Sequence, residues 1–380
     1  MPRVLVAMSG GVDSSVAALL LVEAGYQCAG VTMRLFDAEA PGGAGAAGAP
    51  GDAGAPSGAG APGDAGAPGG AGGAASARAV CAALGIEHFD IDLRRQFNEA
   101  VIAPFVREYR AGLTPNPCIF CNRSIKFKAL LDYALQQGFD YLATGHYARN
   151  VFDREAGVYR LLKAQDAAKD QSYVLYQLGQ TELCKVIFPL GQMTKTEVRK
   201  LAAEVELPTA QAEESQDICF ITDGNYPAFI HRYCRDMEPA GGDIVDSAGT
   251  VLGRHSGIIG YTIGQRRGLG VAVGHPLYVI GVDAAANRII VGEESQLFHR
   301  KALLRDFCTP VPEELEPVME VQARYRYKTP EAAARLVMFD DGRWEVQFNE
   351  AQKALTPGQS LVCYRGSQVV AGGIIDEVRG

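Results

Sequence analysis

The fold of the chain is best understood from one stretch near its start, Val4-Leu5-Val6-Ala7-Met8-Ser9-Gly10-Gly11-Val12-Asp13-Ser14-Ser15. The apolar run at its start predicts a short buried strand. Gly10 and Gly11 predict a tight turn in which the backbone can approach a ligand closely, because neither residue carries a Cβ. Ser14 and Ser15 fall near the first turn of the next helix, where backbone N–H groups lack partners. Strand, glycine turn and helix N-terminus together predict an anion site, with phosphate as the usual occupant.

Two common phosphate-binding motifs do not fit this loop. A Walker A loop ends in Gly-Lys-Ser or Gly-Lys-Thr, and no lysine follows these glycines. The dinucleotide fingerprint needs three spaced glycines, whereas this loop has two adjacent ones. Residues 9–15 instead resemble the loop of ATP pyrophosphatases, which split ATP between the α- and β-phosphates and adenylate a substrate oxygen. A plain strand-to-helix turn with a serine cap is the alternative.

The order of predicted elements indicates the fold class. Strands and helices alternate up to about residue 208, which predicts an α/β domain with a parallel sheet and a ligand beyond the carboxyl ends of its strands. From residue 241 onward, short strands and glycine turns are typical of a small barrel or sandwich. We predict a catalytic α/β domain over residues 1–210, a central mixed or β domain over 211–297 and a C-terminal β-barrel over 298–380.

Composition and charge narrow the class of protein. Of the 380 residues, 47% are hydrophobic and 21% are charged, as in ordinary globular proteins. No apolar run reaches the roughly 18 residues of a membrane helix, and the N-terminus leads directly into a strand, so we expect a cytoplasmic protein without membrane anchor or targeting peptide. The odd count of nine cysteines argues against a secreted disulfide framework. The net charge of −8 argues against a generally basic coat for nucleic acid but allows a local basic surface.

Residues 38–77 consist almost wholly of Gly, Ala and Pro. The unit Ala-Pro-Gly-Asp-Ala-Gly-Ala-Pro occurs at 49–56 and again at 61–68. Without large apolar side chains, such a segment cannot offset the entropy lost on ordering. We predict a disordered insert followed by a helix from Ser76, and we expect its deletion to leave activity largely intact.

Cys118 and Cys121 form a Cys-x-x-Cys pair in a segment with two prolines. The prolines predict an ordered loop, followed by a helix from Ser124. A zinc site would need a second ligand pair at metal spacing, and Cys219 stands alone. A thioredoxin-like redox pair, a cysteine that acts with a distant partner such as Cys219, and ordinary core cysteines remain open. Cationic neighbours such as Arg123 and a helix N-terminus would favour the thiolate of Cys121.

Several motifs occur in the order seen in the tRNA-specific 2-thiouridylase family, which the chain resembles everywhere except residues 38–77. Besides the loop at 9–15, these motifs are Thr-Pro-Asn-Pro-Cys-Ile-Phe-Cys-Asn at 114–122, Ile-Lys-Phe-Lys at 125–128, Ala-Thr-Gly-His-Tyr-Ala at 143–148, Lys-Asp-Gln-Ser-Tyr at 169–173, Ser-Gln-Asp-Ile-Cys-Phe at 215–220 and Tyr-Thr-Ile-Gly-Gln-Arg-Arg-Gly-Leu-Gly at 261–270. Independent motifs in a fixed order are far more specific than any one alone. The resemblance implies an adenine nucleotide α-hydrolase-like fold for the first domain.

The resemblance also implies roles for individual residues. Cys121 matches the family's nucleophile and Cys219 the cysteine that carries a persulfide. Cys118 stands where the family often has aspartate, so it either contacts the target base or offers Cys121 a competing disulfide. The implied ATP-binding residues are Ala7, Met8, Ser9, Gly10, Gly11, Val12, Asp13, Ser14, Ser15, Met33 and Gly145. The implied contacts to the target base are Asn116, Pro117 and Cys118, and those to tRNA are His146, Lys169, Asp170, Gln171, Arg324, Tyr325 and Gln359.

The implied reaction is thiolation of the wobble uridine of tRNA. ATP, accompanied by Mg²⁺, adenylates the C2 oxygen, and a persulfide on Cys219 supplies the sulfur. Cys121 and Cys219 end as a disulfide that an external reductant must open. The implied partners are tRNA, a protein that donates persulfide sulfur and this reductant, with no resident metal and no membrane. The uridine must leave its stack to be reached.

The run Arg324-Tyr325-Arg326-Tyr327-Lys328 offers an RNA surface of its own. On a strand, its cations would share one face and its tyrosines the other, so that arginine could meet phosphate and an aromatic ring could stack on a base. A solvated strand face is the alternative. His146, taken alone, is more often a structural residue at a strand end.

Two rival functions fit parts of the sequence. Another enzyme with this loop, such as an amide-forming synthetase or a lysidine-type tRNA ligase, would need no cysteine pair. A non-catalytic tRNA-binding module would not release pyrophosphate from ATP.

Overall fold

The computed structural model describes residues 1–36, 71–212, 218–221, 223–234, 240–271 and 273–380. Within them, the strands form a five-stranded sheet, a four-stranded sheet and a larger sheet that contains a closed barrel. No helix in these ranges is long and apolar enough to cross a membrane.

The first sheet is parallel in every pairing and has the strand order β3-β2-β1-β4-β7. Its strands are β1 (Arg3–Ala7), β2 (Gln27–Arg34), β3 (Glu87–Asp92), β4 (Tyr141–Ala143) and β7 (Val186–Ile187). The chain runs outward from β1 to β3 and then crosses to β4 on the other side of β1. The topological switch point, where such sheets bind ligands, therefore lies between β1 and β4.

Helices cover both faces of this sheet. They are α1 (Val12–Glu23), α2 (Ala71–Ala83), α3 (Arg94–Phe97), α4 (Ala103–Arg110), α5 (Pro117–Phe120), α6 (Leu131–Gln136), α7 (Gln180–Leu183) and α8 (Lys195–Glu204). Leu5 of β1 belongs to the core on one face, whereas Val4 and Val6 belong to the core on the other. A central parallel strand buried on both faces requires the continuous apolar run that begins the loop motif.

Two stretches of π-helix join neighbouring helices into longer units. Residues 98–102 connect α3 to α4, and residues 121–130 connect α5 to α6. The first ends just before Pro104, which stands in the first turn of α4 and, having no N–H, cannot continue a regular helical hydrogen-bond ladder. Such π-helical stretches occur often at functional sites.

Helix α2 begins at Ala71 and corrects the predicted start at Ser76. The prediction grouped residues 71–77 with the insert because they contain glycine. Alanine is the best helix former, however, and Ala77 and Val80 are buried against the sheet core. The remainder of the predicted insert, residues 38–70, lies outside the described residues.

The central sheet has the strand order β10-β11-β8-β9. Its strands are β8 (Gly242–Val245), β9 (Val251–His255), β10 (Tyr278–Asp283) and β11 (Arg288–Gly292), and helix α9 (Tyr226–Tyr233) precedes them. Strands β10 and β11 pair antiparallel as a hairpin. Ile244, Val279 and Ile289 are fully buried and form a small core of their own with their neighbours.

The C-terminal part is a closed barrel of six strands, as predicted. They are β12 (Phe298–Cys308), β13 (Val318–Arg324), β14 (Ala332–Met338), β15 (Trp344–Lys353), β16 (Ser360–Arg365) and β17 (Gln368–Arg379). Pairing of β12 with both β15 and β17 closes the ring, so no edge strand is left open within it.

The α/β part and the barrel share a buried boundary. The hairpin of β5 (Ala148–Asp153) and β6 (Val158–Lys163) joins β17 through the pair Leu162 and Gln368. The Tyr173 hydroxyl donates a hydrogen bond of 2.7 Å to the Ser360 carbonyl of the barrel. Tyr173 and Tyr364 are both fully buried in the core that also contains Leu5. The barrel is therefore packed into the α/β domain rather than tethered beside it.

Candidate active site

The loop after β1 has the geometry that its sequence predicts. Helix α1 begins at Val12, directly after Gly11, and Gly10 takes a positive φ of 81°. The Ser9 N–H donates to the Ser14 hydroxyl at 3.2 Å, and the Ser14 and Ser15 hydroxyls donate to the Gly11 carbonyl at 3.1 and 2.9 Å. These hydrogen bonds hold the turn closed around the first turn of α1, where phosphate oxygens would meet backbone N–H groups.

Two other residues that were assigned to ATP lie at neighbouring strand ends. Met33 is near the carboxyl end of β2, where it pairs in register with Ile91 of β3. Gly145 follows β4, and a Cβ at this position would lie 2.8 Å from the Ser14 nitrogen. The backbone after β4 therefore touches the first turn of α1 directly, at the switch point of the sheet.

Asp13 takes part in a cluster that the sequence did not reveal. Lys195 donates to both Asp13 carboxylate oxygens at 2.7 and 2.8 Å, and the Tyr147 hydroxyl donates to one of them at 2.7 Å. The Lys195 side chain is only 10% exposed. Lys195 is the first residue of α8, whose N-terminus has a capping box formed by Thr194 and Glu197. The sequence shows a lysine at the start of a capped helix, but it does not show that this lysine pairs with Asp13, which is 182 positions away.

The segment with Cys118 and Cys121 is helical, which corrects the predicted loop. Helix α5 begins at Pro117, and the Asn116 side chain caps it by accepting from the Cys118 N–H at 3.1 Å. Proline is tolerated in the first position of a helix because its missing N–H would have no partner there. The π-helical stretch begins at Cys121 itself, not after Arg123. Both cysteines therefore belong to one helical unit.

Cys121 and Cys219 come together although they are distant in sequence. Cys121 is 8% exposed in a core cluster of the α/β part, and Cys219 packs against the same cluster. Burial raises the pKa of the Cys121 thiol to about 11 against the opposing effect of Lys126. Burial, together with the nearby Cys121 and Cys118, raises the pKa of the Cys219 thiol to about 12. The expected thiolate at Cys121 is therefore wrong for the free protein, because burial outweighs the cationic neighbour.

Cys118 is the solvent-exposed member of this group. Surrounding protein raises the pKa of its thiol, and Lys126 acts in the opposite direction. All nine cysteines lie within the described ranges, and all are free thiols. No group of three or more His, Cys, Asp or Glu side chains suited to a metal ion occurs among the described residues.

Comparison with known proteins places this geometry in a family. A family model described as tRNA methyl transferase HUP domain matches residues 2–52 and 63–223. Models described as tRNA methyl transferase PRC-barrel domain and aminomethyltransferase beta-barrel domain match residues 228–293 and 303–375. The tRNA-specific 2-thiouridylase MnmA of Chloroflexus aurantiacus is 46% identical over 99% of this chain and 98% of its own. The chain belongs to the tRNA-specific 2-thiouridylase family.

Other relatives agree with this assignment. The tRNA-specific 2-thiouridylase MnmA of Moorella thermoacetica is 45% identical over 98% of this chain and 99% of its own. A solved structure of NMN synthetase from Francisella tularensis aligns with 63% of this chain and 79% of its own, at 14% identity. Its TM-score of 0.31 is too low to carry an argument.

In this member of the 2-thiouridylase family, the barrel holds the cysteine helix in place. The Thr114 N–H donates to the Pro357 carbonyl at 3.1 Å, and the Gln359 side chain donates to the Thr114 carbonyl at 2.9 Å. Gln359, assigned to tRNA by resemblance, therefore has a protein partner just before α5. Asn122 donates from within the helix to the Val174 carbonyl at 2.9 Å.

The structure corrects the prediction that residues 324–328 lie on a strand, because β13 ends at Arg324. Arg324 is 15% exposed and pairs with Asp170 at 3.5 Å and Glu331 at 3.1 Å. Tyr325 is buried and meets Phe348 edge-on. Tyr327 differs, since it is 38% exposed and near enough to Cys118 for the two groups to interact electrostatically. The exposed aromatic ring beside the cysteines is thus the tyrosine that was not assigned to tRNA.

The remaining residues assigned to tRNA differ in exposure. The His146 ring is buried against Phe127 and Phe188, and its Nδ1 lies 2.7 Å from the Thr144 hydroxyl oxygen. Burial lowers the pKa of His146. Asp170 is buried and accepts from the Ser172 N–H and hydroxyl. Lys169 and Gln171 are half-buried. Lys169 and Gln171 thus have more accessible surface than Asp170, which lies between them.

Proposed function

We propose that this protein is a sulfurtransferase that converts the wobble uridine of tRNA to 2-thiouridine at the expense of ATP. Family membership supports a tRNA-modifying enzyme. The observation that carries the finer proposal is that one α/β domain combines a pyrophosphatase-type loop at its switch point with Cys121 and Cys219 in a shared cluster. Methyl transfer, which the descriptions of the family models name, gives no role to such a loop.

The C2 carbon of uridine is a poor electrophile and must be activated before sulfur can attack it. The uridine C2 oxygen attacks the α-phosphate of ATP, the bond to the β-phosphate breaks and pyrophosphate leaves. Backbone N–H groups of the Ser9–Ser15 turn are suited to the phosphates, and Asp13 is the carboxylate at hand for Mg²⁺ that accompanies the nucleotide. The C2 carbon then carries an AMP leaving group and accepts sulfur readily.

The sulfur step uses the cysteine pair. A persulfide on Cys219 either attacks C2 directly or, when the Cys121 thiolate attacks the Cys219 sulfur, releases hydrosulfide that attacks C2. In the direct route the Cys121 thiolate then attacks the Cys219 sulfur of the Cys219–S–S–C2 adduct, the S–S bond breaks and its outer sulfur stays on C2 as 2-thiouridine. In both routes AMP leaves with the former C2 oxygen and a Cys121–Cys219 disulfide remains. A protein that donates persulfide sulfur and an external thiol reductant complete the cycle, which we place in the cytoplasm.

The exposed Tyr327 ring is suited to receive the displaced base. It is near enough to Cys118 for the two groups to interact electrostatically, and its ring centroid is 6.0 Å from that of Tyr173. A flipped uridine could stack there with its C2 facing the cysteines. Asn116, Pro117 and Cys118 at the start of α5 would border the same space.

The test is a reconstituted reaction followed by mass spectrometry of digested nucleosides. Purified protein, ATP, a tRNA transcript with a wobble uridine and a persulfide source should yield 2-thiouridine with AMP and pyrophosphate. Cys121→Ala and Cys219→Ala should abolish the product, whereas the matched variant Cys184→Ala should retain it, because Cys184 bonds only the Thr181 carbonyl of its own helix. Normal thiolation by either of the first two variants would exclude this mechanism.

The same assay separates the rival functions. An amide-forming synthetase or a lysidine-type ligase would release pyrophosphate and yet give no thiolated nucleoside. A non-catalytic tRNA-binding module would release no pyrophosphate when tRNA is added.

A further inference from the structure

The three cysteines near the proposed sulfur site differ sharply in accessibility. Cys121 is almost fully buried and Cys219 is half-buried, while Cys118 is exposed. A disulfide between Cys121 and Cys219 would therefore lie largely inside a hydrophobic cluster that also contains Phe97, Phe105 and Phe220. A reductant from solution must contact a disulfide sulfur in order to open it. The buried pair offers such a reductant little surface.

Cys118 and Cys121 are placed to exchange a disulfide. They are three residues apart on one helical unit, and the Cys121 N–H donates to the Cys118 carbonyl. Residues at this spacing share a helix face, roughly 5–6 Å apart at their Cβ atoms, and need only a small adjustment to be bridged. Lys126, one turn further on, favours the thiolate of Cys118, of Cys121 and of Cys219.

We propose that Cys118 is a resolving cysteine that moves the disulfide from the buried pair to the protein surface. This inference rests on the proposed sulfur transfer. After transfer, the Cys118 thiolate attacks the Cys121 sulfur, the Cys121–Cys219 bond breaks, and Cys219 leaves as a thiolate that takes up a proton. The exchange is redox-neutral. Two molecules of a thiol reductant, or one dithiol, then reduce the Cys118–Cys121 disulfide at its exposed sulfur and are oxidised to a disulfide.

The arrangement has a functional consequence for Cys219. Its thiol becomes free before the external reductant has acted. Cys219 can therefore accept the next persulfide sulfur while the Cys118–Cys121 disulfide is still to be reduced at the protein surface. An enzyme without a resolving thiol would have to open its buried disulfide before Cys219 could be loaded again.

The experiment follows the disulfide after a single turnover without reductant. Reduced protein is mixed with ATP, tRNA transcript and cysteine persulfide, quenched in acid, alkylated with iodoacetamide and digested with trypsin. Cys118 and Cys121 fall in one tryptic peptide, residues 111–123, so their disulfide appears as an unalkylated peptide lacking two hydrogens. The expected result is this peptide together with alkylated Cys219. In Cys118→Ser, Cys121 and Cys219 should stay linked to each other.

A second measurement does not depend on turnover. The protein is oxidised with diamide, excess diamide is removed, and alkylation of Cys219 is measured before and after addition of dithiothreitol in wild type, Cys118→Ser and the control Cys184→Ser. In wild type and control, Cys219 should be alkylated before dithiothreitol is added, because exchange with Cys118 has already freed its thiol. In Cys118→Ser, Cys219 should be alkylated only after dithiothreitol is added. Equal alkylation of Cys219 before dithiothreitol in wild type and Cys118→Ser, or a wild-type protein that keeps the Cys121–Cys219 link with alkylated Cys118, would overturn the inference. If 2-thiouridine fails to form while the diamide result holds, the proposed function fails and the resolving role stands.

Discussion

Asp13 and Lys195 are the two side chains on which the proposed nucleotide site depends most. The loop positions its carboxylate in the first turn of α1, and Lys195 binds it from the first turn of α8. Both helix starts therefore face the same region near the end of β1. A lysine there can pass from the carboxylate to the phosphates when nucleotide binds, and an ammonium group at a phosphoryl centre stabilises the charge that develops in the transition state.

Replacement of Lys195 tests this role. We expect Lys195→Met to lower tRNA-dependent pyrophosphate release by about 100-fold, the scale of losing one preorganised charge partner. Lys200→Met is the matched control, because Lys200 lies on the same helix with its side chain 74% exposed and pairs only with Glu204. Pyrophosphate release is measured with a coupled assay at saturating tRNA. Equal rates for the two variants would remove Lys195 from the nucleotide site.

The raised pKa of Cys121 predicts a pH dependence. A thiol with a pKa of about 11 is almost wholly protonated at neutral pH, and the thiolate is the reactive form. Its fraction grows about tenfold for each pH unit below the pKa. Alkylation of Cys121 by iodoacetamide in the free protein should therefore accelerate about tenfold per unit between pH 7 and pH 9, as read by mass spectrometry of residues 111–123. A rate that levels off near pH 7 would mean that the thiol is activated in the free protein.

At the scale of elements, the barrel strands and the cysteine helix are coupled through a short contact. Gly358 lies beside Thr114, and a Cβ at Gly358 would approach the Thr114 nitrogen to 2.7 Å. Gly358 also has a positive φ of 91°. The loop before β16 thus sets the position of the chain just before α5, and through it the position of both helical cysteines.

Substitution of Gly358 tests this coupling. Gly358→Ala should displace residue 114, lower 2-thiouridine formation at least tenfold and cost about 1–2 kcal/mol of stability from the left-handed backbone. Gly366→Ala is the control, since Gly366 has a positive φ of 60° but nothing within 4 Å of its Cβ position. Thermal unfolding and single-turnover thiolation separate the two effects. Equal thiolation by both variants would show that the barrel does not position the cysteine helix.

The element scale also shows why sequence patterns succeeded or failed. The loop after β1 follows from residues close together in the chain, and it was predicted. The start of α5 was missed because proline was treated as a helix breaker, although Asn116 caps that helix. The strand at Arg324 was overextended, because alternation of Arg and Tyr does not reveal that Arg326 turns to donate to the Ala354 carbonyl.

On the scale of the whole molecule, the catalytic domain and the barrel have a common core. Tyr173 and Tyr176 of the α/β part are fully buried with Val362 and Tyr364 of the barrel. The Tyr173 and Tyr176 hydroxyls reach the Ser360 carbonyl and hydroxyl at 2.7 and 3.2 Å. Tertiary contacts of this kind have no local signature in the sequence, so an α/β fold and a β-barrel could be predicted, but not that the two share a core.

A shared core predicts linked unfolding. Tyr173→Ala should destabilise the protein by about 3–5 kcal/mol and shift the unfolding midpoint of the barrel as well as that of the α/β part. Trp344, the single tryptophan, lies in β15 and reports on the barrel. Its fluorescence in a urea titration should shift together with the far-UV circular dichroism signal. An unchanged Trp344 midpoint would show that the barrel folds independently.

In the proposed reaction ATP activates the uridine C2 oxygen before sulfur arrives, and oxygen labelling follows that oxygen to its product. A tRNA transcript with ¹⁸O at O2 of the wobble uridine is thiolated by the purified protein, and the AMP is analysed by mass spectrometry. Adenylation of O2 predicts one ¹⁸O atom in each AMP formed with 2-thiouridine. Unlabelled AMP alongside thiolated tRNA would contradict the account, because the C2 oxygen would then have left by a route that bypasses the α-phosphate.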